Sequence, residues 1–507
     1  MSSTDTYDAA VIGYGPTGAT AANLLGQLGV KVLVIERDPD VYGRARAIST
    51  DEEVMRVWQS VGLADRLQRD MLPDRPLNFV DADGVPFIDL KITPRGSGHP
   101  PQQFLYQPAV DHVLREGVAR FPNVEVLLEH ECLRVRPKGD EVELMLADLR
   151  TDTFKRFRAS YVIAADGGSS PTRGQLGIGY SGRTYTERWV VIDTKVMKEW
   201  DAHDRLRFHC NPARPTVDCP TPLGHHRWEY PARTDEDEQT LLREENIWKV
   251  LNDQGITPEH VRILRAVIYS HHVRVADGWR VGRVFLAGDA AHAMPPWIGQ
   301  GMSAGVRDVA NLCWKLAAVL RGQASDSLLD SYQAERKPHV TEVTRRACFV
   351  GRIITEHNRV IAGTRDHVFR ALARMPGVDT GLVKMTWIPD ARYKDGFFAA
   401  GSHPAVGWQI PQPWVTDDAG ARVRLDDLLG GHWAILHTGT TPAGAQAWTK
   451  LGVPIIHITE PTLIRWLQRK KAAAVVVRPD GFIYAASQSG QPLAAPPTTP
   501  IKTGVRA

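Results

Sequence analysis

Cysteine is scarce in this sequence, with five residues in 507. They stand at positions 132, 210, 219, 313 and 348, without a Cys-x-x-Cys pair and without the clustered spacing of a zinc site. This pattern excludes a dithiol redox motif and a cysteine-based metal centre, so we expect no metal site. Isolated cysteines are typical of reduced thiols, which favours a cytoplasmic protein.

An excess of charge of one sign is also lacking. The chain carries 61 Lys and Arg against 58 Asp and Glu, a formal net charge of +3. So small a net charge at this size predicts no surface for nucleic acid. At 507 residues the chain is too long for one hydrophobic core, which predicts two or three domains.

Long hydrophobic runs are missing as well. The longest uncharged stretch, residues 9–30, contains five glycines and a proline besides Thr, Asn and Gln side chains. Asp5 and Asp8 precede it, and no Lys or Arg does. The stretch is therefore typical of neither a membrane span nor a secretory signal, and we expect a soluble, intracellular protein.

The same stretch carries a dinucleotide-binding pattern. An apolar strand over residues 7–12 leads into GYGPTG, where Gly13, Gly15 and Gly18 have Gly-x-Gly-x-x-Gly spacing. A helical run follows, and then a second strand, VLVI, which leads into Glu36. Glycines at these positions let a pyrophosphate approach the helix N-terminus, whose amides favour an anion, and the carboxylate binds a ribose hydroxyl. The unit predicts a dinucleotide site.

A second stretch has the same spacing without the same context. GIGYSG, residues 177–182, follows PTRGQL instead of an apolar strand, and RTYTERWVVID after it alternates like a strand. The dinucleotide fingerprint requires a strand before it and a helix after it. We therefore interpret residues 177–182 as a turn.

Two downstream motifs indicate which dinucleotide is bound. One strand ends in DGGSSPTR (residues 166–173), and another ends in GDAAHAMPPWIGQG (residues 288–301) before a long helical pattern. With GYGPTG, these motifs resemble, in order and spacing, the class A flavoprotein aromatic hydroxylases of the p-hydroxybenzoate hydroxylase fold. Residues 44–63, 104–126 and 328–339 further resemble the 3-(3-hydroxyphenyl)propionate hydroxylases, although hydroxylases of polyketide phenols share much of this likeness.

This resemblance implies an α/β fold in four parts. A Rossmann-type FAD-binding domain would begin in residues 1–180, and an inserted mixed sheet in residues 181–275 would bind substrate. Residues 276–395 would complete the FAD-binding domain and add helices. Residues 396–507 would form a linker and a thioredoxin-like C-terminal domain, because a β-α-β-α-β-β pattern follows the linker. No cysteine follows Cys348, so we expect that domain to provide a packing or homodimer surface.

The resemblance also implies FAD as the cofactor, with NADH or NADPH as the reductant. Asp289 would receive a ribityl hydroxyl of FAD. The helix that starts near Met302 would direct its free amides at the pyrimidine edge of the flavin, and Gly299 and Gly301 would avoid the ring. The other implied FAD-binding residues are Gly13, Gly15, Pro16, Thr17, Gly18, Glu36, Arg37, Arg46, Gln107, Asp166 and Pro296.

Residues 180–269 alternate like strands and would roof the flavin. The aromatic candidates for the substrate cavity are Trp189, Phe208, Trp228 and Tyr230, with Trp297 near the flavin. An acidic substrate requires a cation, for which Arg214 is the first choice and Arg227 the second among candidates that include Arg205 and Arg207. The phenol-activating group stays open among His209, His225, His226, Tyr230 and the Pro296 carbonyl. The predicted catalytic residues are Pro296, Arg46 and Tyr230.

The implied activity is hydroxylation of a phenolic acid ortho to its hydroxyl group, by dioxygen through a flavin C4a-hydroperoxide, in aromatic catabolism. The expected substrate resembles 3-(3-hydroxyphenyl)propionate. Two alternatives stay open: hydroxylation of a polyketide or simple phenol, and a non-hydroxylating FAD oxidoreductase of the same fold. A flavin halogenase is disfavoured because its WxWxIP run is absent; PPWIGQG has a single tryptophan.

Overall fold

The computed structural model describes residues 6–43, 45–90, 92–233, 236–375, 388–401, 403–417 and 419–497. Its strands are β1 (Thr6–Ile12), β2 (Val32–Ile35), β3 (Ser49–Asp51), β4 (Leu72–Pro73), β5 (Leu77–Val80), β6 (Pro86–Leu90), β7 (Gln102–Phe104), β8 (Val124–Leu127), β9 (His130–Lys138), β10 (Glu141–Asp148), β11 (Thr153–Ala164), β12 (Tyr180–Val196), β13 (Leu206–His209), β14 (Thr216–Thr221), β15 (His225–Pro231), β16 (Val261–Ala276), β17 (Arg280–Val281), β18 (Val284–Leu286), β19 (His292–Ala293), β20 (Trp414–Thr416), β21 (Arg422–Arg424), β22 (Ala434–His437), β23 (Ile455–His457), β24 (Ala474–Val477) and β25 (Ile483–Ser487).

The helices are α1 (Pro16–Gln27), α2 (Glu52–Ser60), α3 (Ala64–Gln68), α4 (Gln107–Val118), α5 (Pro171–Gln175), α6 (Glu238–Leu241), α7 (Glu244–Asn252), α8 (Gly301–Leu320), α9 (Ser331–Ile354), α10 (Arg359–Ala373), α11 (Leu425–Leu429), α12 (Ala445–Thr449) and α13 (Pro461–Arg469). Within the described ranges, no helix combines the length and the apolar character that a bilayer crossing requires. No cluster of three or more potential metal-binding side chains occurs in the same ranges.

The first sheet contains the predicted nucleotide-binding unit. Its strand order is β17-β18-β11-β1-β2-β8, and β1 lies parallel to both β2 and β11. The strands β2 and β18 are fully buried apolar runs, and the core cluster on one face of the sheet combines side chains of β1, α1, α4 and α8. The carboxyl ends of β1, β11 and β18 therefore meet at one edge, where ligands of such sheets bind.

The second sheet is mixed and lies beside the first. Its order is β19-β16-β12-β15-β14-β13-β5-β6, with β13 and β5 parallel and the other pairs antiparallel. The sequence assigned this sheet to residues 181–275, but β5, β6 and β19 come from outside that range. The stretch 177–182 leads into β12, which begins at Tyr180, and no helix follows it.

A smaller third sheet closes the C-terminal part of the chain. Its order is β23-β22-β24-β25, in which β22 and β23 are parallel and the other two pairs antiparallel. Helices α12 and α13 contribute Trp448, Leu463 and Leu467 to the cores beside this sheet. Trp314 of α8 packs in the same cluster as Trp433, so the C-terminal part shares core with the long helix.

A buried ionic network joins the C-terminal part to the rest. Glu335 of α9 accepts hydrogen bonds from Arg478 at 2.8 and 2.9 Å, and from Lys315 of α8 at 2.9 Å. All three side chains have no solvent exposure. Burial opposes the charge of Glu335, but Arg478 and Lys315 outweigh it and lower the pKa of the carboxyl group to about 2. The Glu335 carboxylate thus links α8, α9 and the residue that follows β24, which are distant in sequence.

We predict that Glu335→Ala lowers the free energy of unfolding by about 3–5 kcal/mol, because it leaves Lys315 and Arg478 buried without their shared partner. Denaturant titration at neutral pH, well above the pKa of Glu335, measures the loss. The matched control is Glu342→Ala on the same helix, whose carboxylate pairs with Arg345 and Arg346 near the surface. It should cost about 0–1 kcal/mol. Equal losses in the two variants would contradict a special role for Glu335.

Candidate active site

A cavity of about 940 Å³ opens between the first and second sheets. One end is lined by the glycine loop after β1 and by Glu36, and the other by side chains of β13, β15 and β16. The turn of residues 296–301 also lines the cavity. Its volume is at the upper end of ordinary ligand sites, as a dinucleotide and a second molecule together require.

The three glycines of the loop after β1 are not all required for the same physical reason. Gly13 has φ of +95°, and a side chain on Gly18 would overlap the Gly13 carbonyl oxygen. These two glycines are required by the turn itself. Gly15 is different: its φ is −74°, and a Cβ there would meet no protein atom within 4 Å. The space beside Gly15 belongs to the cavity, so the glycine leaves room for a ligand that lies against the backbone.

Glu36 closes this end of the cavity. One carboxylate oxygen accepts a hydrogen bond from the Tyr14 amide at 2.7 Å, and the other accepts from the Asp38 amide at 2.9 Å. The carboxylate thus fixes the glycine loop relative to β2. Arg37 follows with a side chain that is 71% exposed and also lines the cavity.

Two helices begin at the cavity without a capping side chain. Helix α1 starts after Gly15 with Pro16 at its first position, and α8 starts after Gln300. Neither N-cap residue accepts a side-chain hydrogen bond from the first turn, so amide groups and the positive end of each helix dipole are available to an anion. Pro16, Thr17, Gly301 and Met302 line the cavity at these two starts.

The turn before α8 is constrained by protein contacts as well as by the cavity. Gly299 has φ of +63°, and a side chain on it would overlap the Ser49 hydroxyl group. This glycine is therefore required by the turn itself, and its role in avoiding the flavin ring stays a prediction. Around Gly301, the nearest protein atom to a Cβ is 4.0 Å away, so open space is retained there. The Pro296 carbonyl accepts from the Gly299 amide at 2.8 Å.

Buried ion pairs hold the start of α8 in place. Arg307 donates to Asp51 and to Glu53 at 2.6 Å, and to the Gln300 side chain at 3.0 Å. The next residue of the helix, Asp308, accepts from His292 at 2.7 Å and from Arg336 at 2.9 Å. Burial opposes the ionised form of Asp308, but His292 and Arg336 lower the pKa of its carboxyl group. The helix N-terminus is thus fixed before any ligand binds.

The segment of residues 45–47 also lines the cavity. The Gln107 side-chain oxygen accepts from the Arg46 amide at 3.1 Å and from the Ala47 amide at 2.7 Å. The Arg46 side chain is exposed, lies over the ring of Tyr42 at 4.8 Å and lines the cavity. Below Gln107, burial raises the pKa of Asp111 to about 7.

Asp166 and Asp289 lie where the strands of the first sheet end. Asp166 accepts from the Ser170 hydroxyl at 2.5 Å and from the Thr172 amide at 3.1 Å, so it orders the DGGSSPTR turn while lining the cavity. Asp289 follows β18 within a 3-10 turn, and its side chain is exposed at the cavity. All of the FAD-binding residues implied by the resemblance except Gly18 line this cavity.

The second sheet presents a polar row that the sequence reasoning missed. Tyr269 donates to a Glu229 oxygen at 3.1 Å. With that proton committed, the Tyr269 oxygen accepts from His271 Nε2 at 2.9 Å. All three side chains line the cavity. Burial raises the pKa of Glu229 and of Tyr269, and it lowers the pKa of His271 to about 4, so His271 is neutral at pH 7.

Strand alternation is the signal that would have identified this row. Residues i and i+2 of a strand share a face, so Arg227 and Glu229 of β15 lie together, as do Tyr269 and His271 of β16. Trp228 and Tyr230, predicted for substrate binding and catalysis, necessarily lie on the opposite face. They are fully buried in a separate core cluster with Trp200 and α7, and they do not line the cavity. Both predictions were wrong.

The three histidine candidates for the phenol-activating base also lie outside the cavity lining, whereas Pro296 lines the cavity. His209 and His226 hydrogen-bond Asp218 at 2.6 and 3.0 Å on the outer face of the sheet, where Arg207 joins them. The ring of His225 stacks on Tyr106 at 4.7 Å. By contrast, Phe208 and Trp297 do line the cavity, and Trp297 packs edge-on against Trp189 at 4.7 Å.

Neither preferred arginine is a free anchor for a carboxylate. Arg214 is outside the cavity lining, where it pairs with Glu236 and lies over the ring of Tyr230 at 5.3 Å. Arg227 does line the cavity, but its guanidinium donates to Asp193 and to two main-chain carbonyls. The sequence could not distinguish a free arginine from one engaged by the fold. Arg205 likewise pairs with Asp204.

The chain matches known proteins over nearly its whole length. Residues 6–347 match the FAD binding domain family, and residues 407–463 match the HcaD C-terminal domain. The 3-(3-hydroxy-phenyl)propionate/3-hydroxycinnamic acid hydroxylase of Burkholderia cenocepacia (strain HI2424) is 34% identical over 95% of this chain and 94% of its own length. That of Escherichia coli (strain K12) is 33% identical over 94% of this chain and 91% of its own.

Solved structures agree on the fold. The flavin-dependent monooxygenase PieE, in complex with FAD and substrate, superimposes with a TM-score of 0.81 at 22% identity, covering 94% of this chain and 95% of its own. The family match and the hydroxylase relatives, with which the glycine loop and the cavity between two sheets agree, show an FAD-dependent aromatic hydroxylase. The chain belongs to the FAD binding domain family.

We predict that Gly15→Ala weakens FAD binding by about tenfold or more, because the added methyl group occupies space that the ligand requires. The apoprotein should keep its thermal stability, since no protein atom is contacted. Fluorescence titration with FAD and thermal unfolding of the apoprotein measure the two effects. The matched control is Gly174→Ala in α5, which also faces open space but lies outside the cavity lining. Unchanged FAD affinity in Gly15→Ala would contradict this placement of the pyrophosphate.

Proposed function

We propose that this protein hydroxylates a phenolic aromatic acid ortho to its hydroxyl group, with FAD, dioxygen and NADH or NADPH. The observation that carries the proposal is the cavity, which is lined both by the uncapped N-terminus of α8 and by the Glu229 and Tyr269 side chains. The names of the relatives support a 3-(3-hydroxyphenyl)propionate-like substrate. FAD, when bound, would accept two electrons from the nicotinamide and deliver one oxygen atom of dioxygen to the ring, while the other leaves as water.

The chain's own contribution begins with the phenol proton. A phenol is a better nucleophile at its ortho carbon when its hydroxyl proton is removed. Glu229, whose side chain is 12% exposed, faces the cavity and has a raised pKa, which suits a general base for a group as weakly acidic as a phenol. Tyr269 donates to the other side of the same carboxylate and orients it. We assign the acceptance of the phenol proton to Glu229 in place of the histidines.

Apolar side chains provide the dry part of the site. Phe208, Val217 and Trp297 line the cavity beside the polar row. Trp297 packs directly on Gly351 of α9, where a side chain would overlap the indole ring. Exclusion of water there strengthens the hydrogen bonds to the phenol and protects the oxygen-transfer step from side reactions.

One observation favours a second candidate substrate class. Arg227 and Arg265 are the arginines of the second sheet that line the cavity, and both donate to Asp193 and to main-chain carbonyls. An uncharged phenol would need no further cation at this sheet. Hydroxylation of such a phenol is therefore the second candidate.

We infer a thioredoxin-like arrangement for the C-terminal part. The order β23-β22-β24-β25 and the intervening helices α12 and α13 support it. Its buried contacts to α8 and α9 favour a packing role, and a homodimer surface on it stays a prediction.

A substrate panel tests the proposal. Purified holoenzyme is mixed with NADH or NADPH, oxygen and either 3-(3-hydroxyphenyl)propionate, its methyl ester or an unsubstituted phenol. We expect the acid to stimulate nicotinamide oxidation with formation of one catechol per nicotinamide oxidised. Preference for the ester or the phenol would favour the second candidate. Nicotinamide oxidation that yields hydrogen peroxide without catechol for every compound would contradict hydroxylation.

Glu229→Gln should lower the rate of catechol formation by about 10²-fold or more, because the amide retains the shape of the carboxylate but cannot accept the proton. FAD affinity should be unchanged. Fluorinated phenols, which ionise at lower pH, should recover much of the rate, and so should raising the pH toward ~10, where the phenol ionises by itself. Tyr269→Phe is the companion variant and should lose less. A loss in Glu229→Gln that no acidic phenol recovers would mean that Glu229 holds structure.

A further inference from the structure

The main chain of residues 45–47 is held from two directions. From the start of helix α4, the Gln107 side-chain oxygen accepts hydrogen bonds from the amides of Arg46 and Ala47. From the second sheet, Arg227 donates to the Ala45 carbonyl at 2.6 Å and to the Arg46 carbonyl at 3.0 Å. Arg265 donates to the same Ala45 carbonyl at 2.8 Å. This segment contributes Ala45, Arg46 and Ala47 to the cavity wall.

Strand register places both arginines around one carboxylate. Asp193 of β12 pairs directly with Arg227 of β15 on one side and with Arg265 of β16 on the other. Opposed residues of neighbouring strands have side chains on the same face. Arg227 accordingly donates to one Asp193 oxygen at 2.7 Å, and Arg265 donates to the other at 2.5 Å. Side chains of three neighbouring strands thus hold two guanidinium groups, and both donate to the segment of residues 45–47.

The same row reaches the phenol-binding side. A nitrogen of Arg227 lies 3.6 Å from a Glu229 oxygen and also donates to the Arg46 carbonyl. Arg227 is only 3% exposed, so it cannot exchange these partners for water without moving. A single side chain therefore connects Glu229 with the segment that carries Arg46. Because guanidinium donors are rigid and directional, a shift of one contact moves the other.

We propose that Asp193, Arg227 and Arg265 form a positioning device that makes the placement of Arg46 depend on the occupancy of the phenol site. The device rests on the proposed function for its substrate. Binding of a phenol at Glu229 would change the contact of that carboxylate with Arg227, and Arg227 would transmit the change to the Arg46 carbonyl. In this proposal the three residues are positioning residues that act through Arg46.

The first test requires no substrate. Asp193→Asn retains size but turns an amide nitrogen toward one of the two arginines, which releases the row. In FAD-bound protein, hydrogen exchange at the amides of residues 45–48 should accelerate by about tenfold. The matched control is Asp218→Asn, which disturbs a buried carboxylate of the same sheet bound by Arg207 and His209 on the outer face. Exchange unchanged in Asp193→Asn, or accelerated equally in both variants, overturns the device.

The second test measures the coupling. In the wild type, a phenol should accelerate reduction of FAD by the nicotinamide in anaerobic stopped-flow experiments. Asp193→Asn should lower the ratio of the rates with and without phenol by about tenfold, with FAD affinity retained, and Asp218→Asn should keep the ratio. A wild type that responds to no phenol overturns the proposed function and leaves the exchange test to decide on the device.

If Asp193→Asn does not bind FAD, the variant Arg265→Lys takes its place. It keeps the positive charge but loses the planar guanidinium that donates to Asp193 and Ala45 together. An unchanged rate ratio and an unchanged exchange rate in this variant overturn the device.

Discussion

The position of helix α8 is the constraint on which the rest of this structure depends. Its N-terminus opens into the cavity without a cap, and it is held from the side by Arg307 with Asp51 and Glu53. Further along, Asp308 joins it to Arg336 of α9, and Lys315 joins it to Glu335 and the C-terminal part. Buried pairs of this kind contribute little net stability, but they penalise any other arrangement of the charges. These ion pairs therefore determine the orientation of α8 more than they increase the stability of the folded protein.

The two ends of the cavity are built differently. The end at the glycine loop consists of main-chain amides at helix starts and of glycines required by their turns. The end at the second sheet consists of side chains on one face, where a substitution leaves the hydrogen bonds between strands in place. A fold of this type can change its phenol while keeping its cofactor chemistry.

The second sheet also connects the two ends. The strands that carry Glu229 and Tyr269, which we propose contact the phenol, also carry Arg227 and Arg265, which hold the segment bearing Arg46. An arginine that faces a cavity is usually taken as a ligand for an anion. Here the carbonyl groups of Ala45 and Arg46 already accept hydrogen bonds from the Arg227 guanidinium, so those donors are not free for a ligand.

By itself, the sequence determined the nucleotide end of this protein. Gly13, Gly15, Gly18 and Glu36 act through local main-chain geometry, which depends on neighbours in sequence, and the prediction of an FAD-dependent aromatic hydroxylase was confirmed. Only the tertiary structure decided the substrate end. Which face of β15 meets the cavity depends on how the second sheet packs on the first, and a shift of one residue would exchange Glu229 for Tyr230. Whether an arginine is free depends on partners from distant segments, such as Asp193 for Arg227 and Glu236 for Arg214.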